Sequence, residues 1–213
     1  MKWTSILIII CILASLGYWF GYESFVENHL VYSGTGLAQG ALWTPITTLF
    51  VHFDLAHLVG NIAFLSVFGS VVEKESSGKT TLTAFFVGGV GSLLVGTVYY
   101  GLSVTMIGAS GAIFTLAAAA MLIKPLKLSL LFFFIPLGLV ALLYFIFNVF
   151  AVLWEFGGNV GYIAHVAGFL IGLPFGIAVS EGEWLKNLGI TILLLAVFVA
   201  IIYVIQISLK FLV

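Results

Sequence analysis

The sequence predicts an all-α polytopic membrane protein of seven spans: a six-helix core and one additional C-terminal transmembrane helix. Three observations lead there. Of 213 residues, 62% are hydrophobic and only 7% are charged, whereas a soluble domain carries about 25% charged residues. Apolar segments recur at lengths near the roughly 20 residues that a helix needs to cross a bilayer. Lysines and tryptophans fall at the ends of those segments and between them.

The expected spans are 4–21, 51–72, 80–100, 110–123, 128–152, 160–179 and 188–209. The first follows Met1-Lys2 and runs to Phe20 without a small-x-small cleavage site, so it reads as an uncleaved span and not as a signal peptide. The polar run Ser180–Asn187 separates the sixth span from the seventh. The chain therefore divides into a core, 1–180, and an added helix, 188–213.

Orientation follows from the cations. Lys2, Lys74, Lys79, Lys124, Lys127 and Lys186 all fall on one side of a seven-span chain, and only Lys210 falls on the other. Cationic loops stay in the cytoplasm, which places the N-terminus there and the C-terminus outside. Trp3, Trp19, Trp43, Trp154 and Trp184 lie at span ends or in loops, as an aromatic belt requires. The first outer loop, 22–50, is far longer than the usual link of about 2–8 residues between helices. With Trp43 and Pro45 it is expected to lie partly in the interface.

Composition also excludes functions. Net charge is −1 and arginine is absent, so no basic field invites nucleic acid. The single cysteine, Cys11, has no partner for a disulfide or a metal site. No cofactor or metal is expected.

Polar groups at membrane depth are costly, and so they mark function. The candidates are His52, Asp54, His57, Asn61, Ser110, Asn148 and His165. If Lys124 marks the cytoplasmic face, Ser110 sits roughly 9 Å below the outer face of a core about 30 Å thick. His165, entering from outside on the sixth span, lies on the order of 5–8 Å deep. His57 and Asn61 occupy the first turns of the second span, one turn apart on the same side. Asp54 reads as the cap of that helix. His52 is expected near the surface or bracing the first loop, Asn148 as a structural hydrogen-bonding group, and His29 as a loop residue. Small residues form ridges at four-residue spacing: Ala164, Gly168, Gly172 and Gly176 beside His165, and Gly111, Thr115 and Ala119 beside Ser110. Such ridges let helices approach closely in lipid, and packing them would bring Ser110 to His165.

That pair carries a chemistry. A serine hydroxyl needs a base to become a nucleophile, and a histidine within hydrogen-bond reach supplies one. Gly108-Ala109-Ser110-Gly111 sets the serine where a loop becomes a helix, whose free N–H groups favour developing negative charge. The Ser110 N–H, the Asn61 amide and the His57 imidazole are suitable oxyanion donors. No acidic third member is required, so a Ser–His dyad is expected.

These residues resemble the rhomboid family of intramembrane serine proteases. The resemblance covers about 43–180 and rests on His52-Phe53-Asp54-Leu55-Ala56-His57-Leu58-Val59-Gly60-Asn61, Gly108-Ala109-Ser110-Gly111, and Ala164-His165-Val166-Ala167-Gly168 followed by Gly172. It implies cleavage of transmembrane protein substrates near the outer face. Ser110 takes the position of the nucleophile and His165 that of the general base and acid. His57, Asn61 and the Ser110 amide take the oxyanion-hole positions. Gly108 supports the site, and Phe114 matches an aromatic that packs on the catalytic histidine. The first loop and the cap loop around Trp154–Asn159 match elements associated with lateral substrate access and water.

Three features depart from the family pattern. Trp43 is followed by Thr44 where arginine is common, Gly78 falls late after Glu73, and a seventh span follows the core. The implied partners are transmembrane substrates and the lipid bilayer; the short chain without a transit peptide leads to a prokaryotic plasma membrane as the expected location, with an organelle as the alternative. Two other readings stand beside this one. An inactive relative that binds membrane clients would lack the serine or the histidine. A transporter would show an internal repeat or paired broken helices.

Overall fold

The computed structural model describes residues 1–157 and 160–210, with only the backbone of Tyr22. Gly158 and Asn159 of the expected cap loop, and the last three residues of the expected C-terminal helix, lie outside the described residues. Helix α1 (Lys2–Gly17) runs into a π-helical turn, Tyr18–Tyr22. The first loop then folds into α2 (Glu23–His29), β1 (Tyr32–Ser33), α3 (Gly34–Ala38), α4 (Thr44–Thr47) and a 3₁₀ turn, Thr48–Phe50. Helices α5 (Leu55–Glu75) and α6 (Gly78–Tyr100) follow, then β2 (Thr105–Met106) and α7 (Ser110–Ile123). The chain ends with α8 (Leu137–Leu153), α9 (Tyr162–Val179) and α10 (Trp184–Lys210).

Among the described residues, five helices are long and apolar enough to cross a membrane: Lys2–Gly21, α5, α6, α9 and α10. Helices α7 and α8 are shorter and also apolar. Local chemistry sets several of their starts. The Asp54 carboxylate accepts the His57 N–H at 2.7 Å and caps α5, as its sequence position suggests. Ser77 caps α6 by accepting the Thr80 N–H at 3.1 Å. Helix α1 is capped from outside itself, since Glu73 on α5 accepts from the N–H groups of Trp3 and Thr4 and from the Thr4 hydroxyl.

Helix α7 is the centre of the bundle, with every residue from Gly111 to Ile123 buried. The two small-residue ridges meet there. A methyl group added at Gly168 would sit 2.2 Å from the Gly111 carbonyl oxygen, and one at Gly172 would sit 2.2 Å from that of Thr115. Gly176 faces Ala119 and Leu122 in the same way. Gly88 and Ser92 of α6 meet the same two α7 residues, Thr115 and Gly111. Close backbone approach brings dispersion contacts that lipid cannot supply, and it opens polar links. The Thr115 hydroxyl donates across to the Gly168 carbonyl at 2.7 Å.

Two expectations shift. The fifth span was expected over 128–152, but its helix begins at Leu137. Residues 128–136 form a turn closed by a bridge from Leu128 to Pro136, with Phe133 and Phe134 at φ of 51° and 60°. Hydropathy runs unbroken through Leu-Leu-Phe-Phe-Phe-Ile, yet Pro136 removes an N–H and turns the residue before it away from helix. The polar break before the last helix spans only Ser180–Glu183, where Glu181 and Gly182 take positive φ. Asn187 lies inside α10 because its amide donates to the Leu122 and Ile123 carbonyls at the end of α7. The first loop is no simple connector. Trp43 Nε1 donates to the His29 carbonyl at 2.6 Å, Thr47 to that of Leu30 at 2.7 Å, and β1 pairs antiparallel with β2 through Tyr32–Met106 and Ser33–Thr105. These bonds brace the loop around Thr44.

Candidate active site

The loop before α7 brings Ser110 into position. Thr48 clamps it twice, donating from its hydroxyl to the Met106 carbonyl at 2.6 Å and accepting the Gly108 N–H at 3.0 Å. Gly108 has φ of 109°, a conformation open mainly to glycine. A Cβ there would also lie 2.7 Å from Cε1 and Nε2 of His57. One residue thus turns the chain and leaves room for an imidazole. Ser110 then opens α7, where the first-turn N–H groups have no partner within the helix.

Ser110 and His165 meet. His165 Nε2 lies 2.7 Å from Ser110 Oγ, across the α7–α9 contact that the glycine ridge permits. The imidazole stacks on Phe114, one turn below Ser110, with ring centroids 4.7 Å apart. On its far side, His165 Nδ1 lies 2.8 Å from Oδ1 of Asn148 on α8.

His57 and Asn61 share a side of α5, and His57 reaches the loop that carries Ser110. The His57 ring packs against Gly108 and edge-to-face on His52, centroids 4.9 Å apart. The Asn61 amide nitrogen donates to the His57 carbonyl at 2.9 Å. That nitrogen carries two hydrogens, so one remains to donate elsewhere. His52 is fully buried within the protein. Its Nδ1 lies 3.1 Å from Ser15 Oγ on α1, and its carbonyl accepts at 3.0 Å from Trp19 Nε1 in the turn after α1.

The pairing of Asn148 with His165 is what sequence reasoning missed. From sequence Asn148 was a structural hydrogen-bonding group, as it proves to be, but its partner on α9 was not foreseen, and His165 had none beyond Ser110. A lone asparagine in an apolar run does not reveal which neighbouring helix its side chain meets. Its only signal was its type: an amide at that depth requires a partner.

The fold and the site define a class: polytopic helical membrane proteins that hold a serine–histidine pair between buried helices. The sequence profile of the Rhomboid domain matches residues 39–182, more than half of the chain. The chain belongs to the rhomboid family. It is 25% identical over 185 residues to Rhomboid protease GlpG of Haemophilus influenzae, covering 84% of this chain and 92% of that one. It is 35% identical over 79 residues to the chloroplastic Rhomboid-like protein 11 of Arabidopsis thaliana, covering 37% of this chain and 28% of the relative. Rhomboid-like protease 2 of Toxoplasma gondii is 25% identical over 153 residues, covering 69% of this chain and 51% of the relative.

Proposed function

We propose that this protein is an intramembrane serine endopeptidase that hydrolyses peptide bonds of transmembrane protein substrates near the outer membrane face. The observation that carries the reading is the 2.7 Å contact between Ser110 Oγ and His165 Nε2 at the start of α7. In this mechanism Nε2 takes the hydroxyl proton as Oγ attacks the substrate carbonyl. A tetrahedral intermediate forms, and its oxyanion accepts hydrogen bonds from the Ser110 N–H, the free Asn61 amide hydrogen and His57. His165 then protonates the leaving amine, and a peptide C–N bond breaks to give an acyl-enzyme. Water, deprotonated by His165, releases the second product and restores Ser110. Family membership and the likeness to a named rhomboid protease support the same chemistry.

The proposal includes seven spans, with a protease core over 1–180 and an added helix over 188–213. The N-terminus is cytoplasmic and the C-terminus lies outside. One end of the bundle gathers the helix ends that carry most of the lysines, with Lys124 beside Glu75 at 3.5 Å and Asn187 against Leu122. Ser110 lies at the opposite end of α7 from Lys124, which supports a site towards the outer leaflet. A prokaryotic plasma membrane is the proposed location.

The test is purified protein in liposomes with a defined transmembrane substrate, comparing wild type with Ser110→Ala and His165→Ala. Cleavage by wild type and its loss in both variants is expected. Variants that cleave as fast as wild type would remove the dyad.

A further inference from the structure

We propose that Asn148 is a positioning residue that fixes the tautomer of His165, so that Nε2 faces Ser110 as a proton acceptor. The proposal rests on the proteolytic reading above for its functional consequence, but its structural basis is independent of it.

Asn148 is buried within α8 and uses both ends of its amide. Nδ2 donates to the Tyr144 carbonyl, four residues earlier on the same helix, at 2.8 Å. A carbonyl can only accept, so the NH₂ group must face Tyr144. That leaves Oδ1 towards His165 Nδ1, 2.8 Å away. An amide oxygen can only accept, so Nδ1 must carry a hydrogen. A neutral imidazole has one N–H, so Nε2 is bare and accepts from the Ser110 hydroxyl at 2.7 Å.

Each alternative sets two acceptors or two donors face to face. Flipping the amide puts Oδ1 against the Tyr144 oxygen. Moving the imidazole hydrogen to Nε2 leaves a bare Nδ1 against Oδ1. The sense of the Ser110 hydrogen bond is therefore set by a backbone carbonyl on a different helix, relayed through one amide and one ring.

The relay also suits the reaction. When Nε2 takes the serine proton, Nδ1–H stays on the same oxygen, so nothing has to rearrange. A neutral amide cannot accept that proton, so Asn148 remains outside the chemistry. Phe114 holds the plane of the ring and Asn148 holds its rotation within that plane.

The experiment uses the full chain in liposomes as wild type, Asn148→Leu and Asn148→Asp. Leucine keeps the bulk without an acceptor. A protonated aspartate can reproduce both bonds of the amide. Asn148→Leu is expected to lower kcat about 10- to 100-fold with KM little changed, and Asn148→Asp to recover to within about tenfold of wild type. A purely packing role would not produce this order, since leucine fills the space. Nitrogen-15 spectra of histidine-labelled protein give a readout independent of cleavage, with the His165 signals assigned by their loss in His165→Gln. Wild type should show Nδ1 protonated and Nε2 bare, and Asn148→Leu should lose that preference. A wild-type spectrum with Nε2 protonated overturns the proposal, as does unchanged kcat in a folded Asn148→Leu protein. If Asn148→Leu does not fold, the wild-type spectrum alone decides. If wild type cleaves nothing, the proteolytic reading falls while the spectrum still tests the tautomer.

Discussion

The imidazole of His165 lies flat on the ring of Phe114, with the two planes 8° from parallel. Phe114 is buried and sits on α7, as Ser110 does, so the helix that carries the hydroxyl also carries the surface that orients its partner. An aromatic contact of this kind is worth about 0.5–1.5 kcal/mol beyond its burial, or roughly 2- to 10-fold in rate if it acts only on the competent orientation. Phe114→Leu should lower kcat by that factor. Phe114→Tyr, which keeps the flat face, should cost less. Steady-state cleavage in liposomes measures both, and equal losses would show that the flat face is not what matters.

The α7–α9 ridge makes a prediction about stability. Gly168→Ala would drive a methyl to 2.2 Å from the Gly111 carbonyl oxygen, so the helices must part. Overpacking of this sort typically costs about 1–3 kcal/mol. Because Ser110 and His165 face each other across the same contact, activity should fall as well. At Gly189 on α10 a methyl meets nothing within 4 Å. Gly189→Ala should be neutral or stabilise by up to about 1 kcal/mol through helix propensity. Thermal unfolding in detergent compares the two, and effects of the same sign would contradict the packing argument.

Gly108→Ala should damage the site more than the fold. A non-glycine residue held at such a φ costs on the order of 1–3 kcal/mol, and its methyl would push on the His57 ring. If His57 is an oxyanion donor, its displacement should cost about 100- to 1,000-fold in rate. Labelling of Ser110 by a fluorophosphonate, followed over time beside a thermal melt, separates lost reactivity from lost structure. Wild-type labelling in a folded variant would exclude this role for Gly108.

Topology can be read with thiol reagents, because the native Cys11 is 1% exposed and should stay silent. Leu42, on the first loop, is 71% exposed, and the Lys186 side chain at the other end is 68% exposed. Leu42→Cys should react with a membrane-impermeant maleimide added outside. Lys186→Cys should react only after the membrane is opened. The reverse pattern would invert the proposed orientation.

How much of this was legible in the sequence depends on whether the signal was local. Helix α7 shows its bounds, because Gly108 precedes it and Lys124 follows it. Asp54 announces the start of α5, since a cap needs only its own helix. The glycine ridges indicate which faces can approach, because absent side chains are a local fact with a tertiary consequence. The start of α8 was hidden, since hydropathy cannot distinguish an apolar turn from an apolar helix across 128–136. The fold of the first loop was hidden too. It depends on pairings such as Trp43 with His29 and β1 with β2, which join residues that no short-range period connects. Asn148 falls in the same group, because the rotation of α8 against α9 is set by packing and not by its own sequence.

Helix α7 has a consequence for biogenesis. At 14 residues it is about 21 Å long, too short to bridge a hydrocarbon core of about 30 Å unaided. Its surface is covered by neighbours, three of which, α8, α9 and α10, leave the ribosome after it. His165 follows Ser110 by 55 residues. The nascent chain therefore inserts its serine with no base beside it, and the pair forms only when α9 docks. In a protease built this way, the order of synthesis is itself a source of latency.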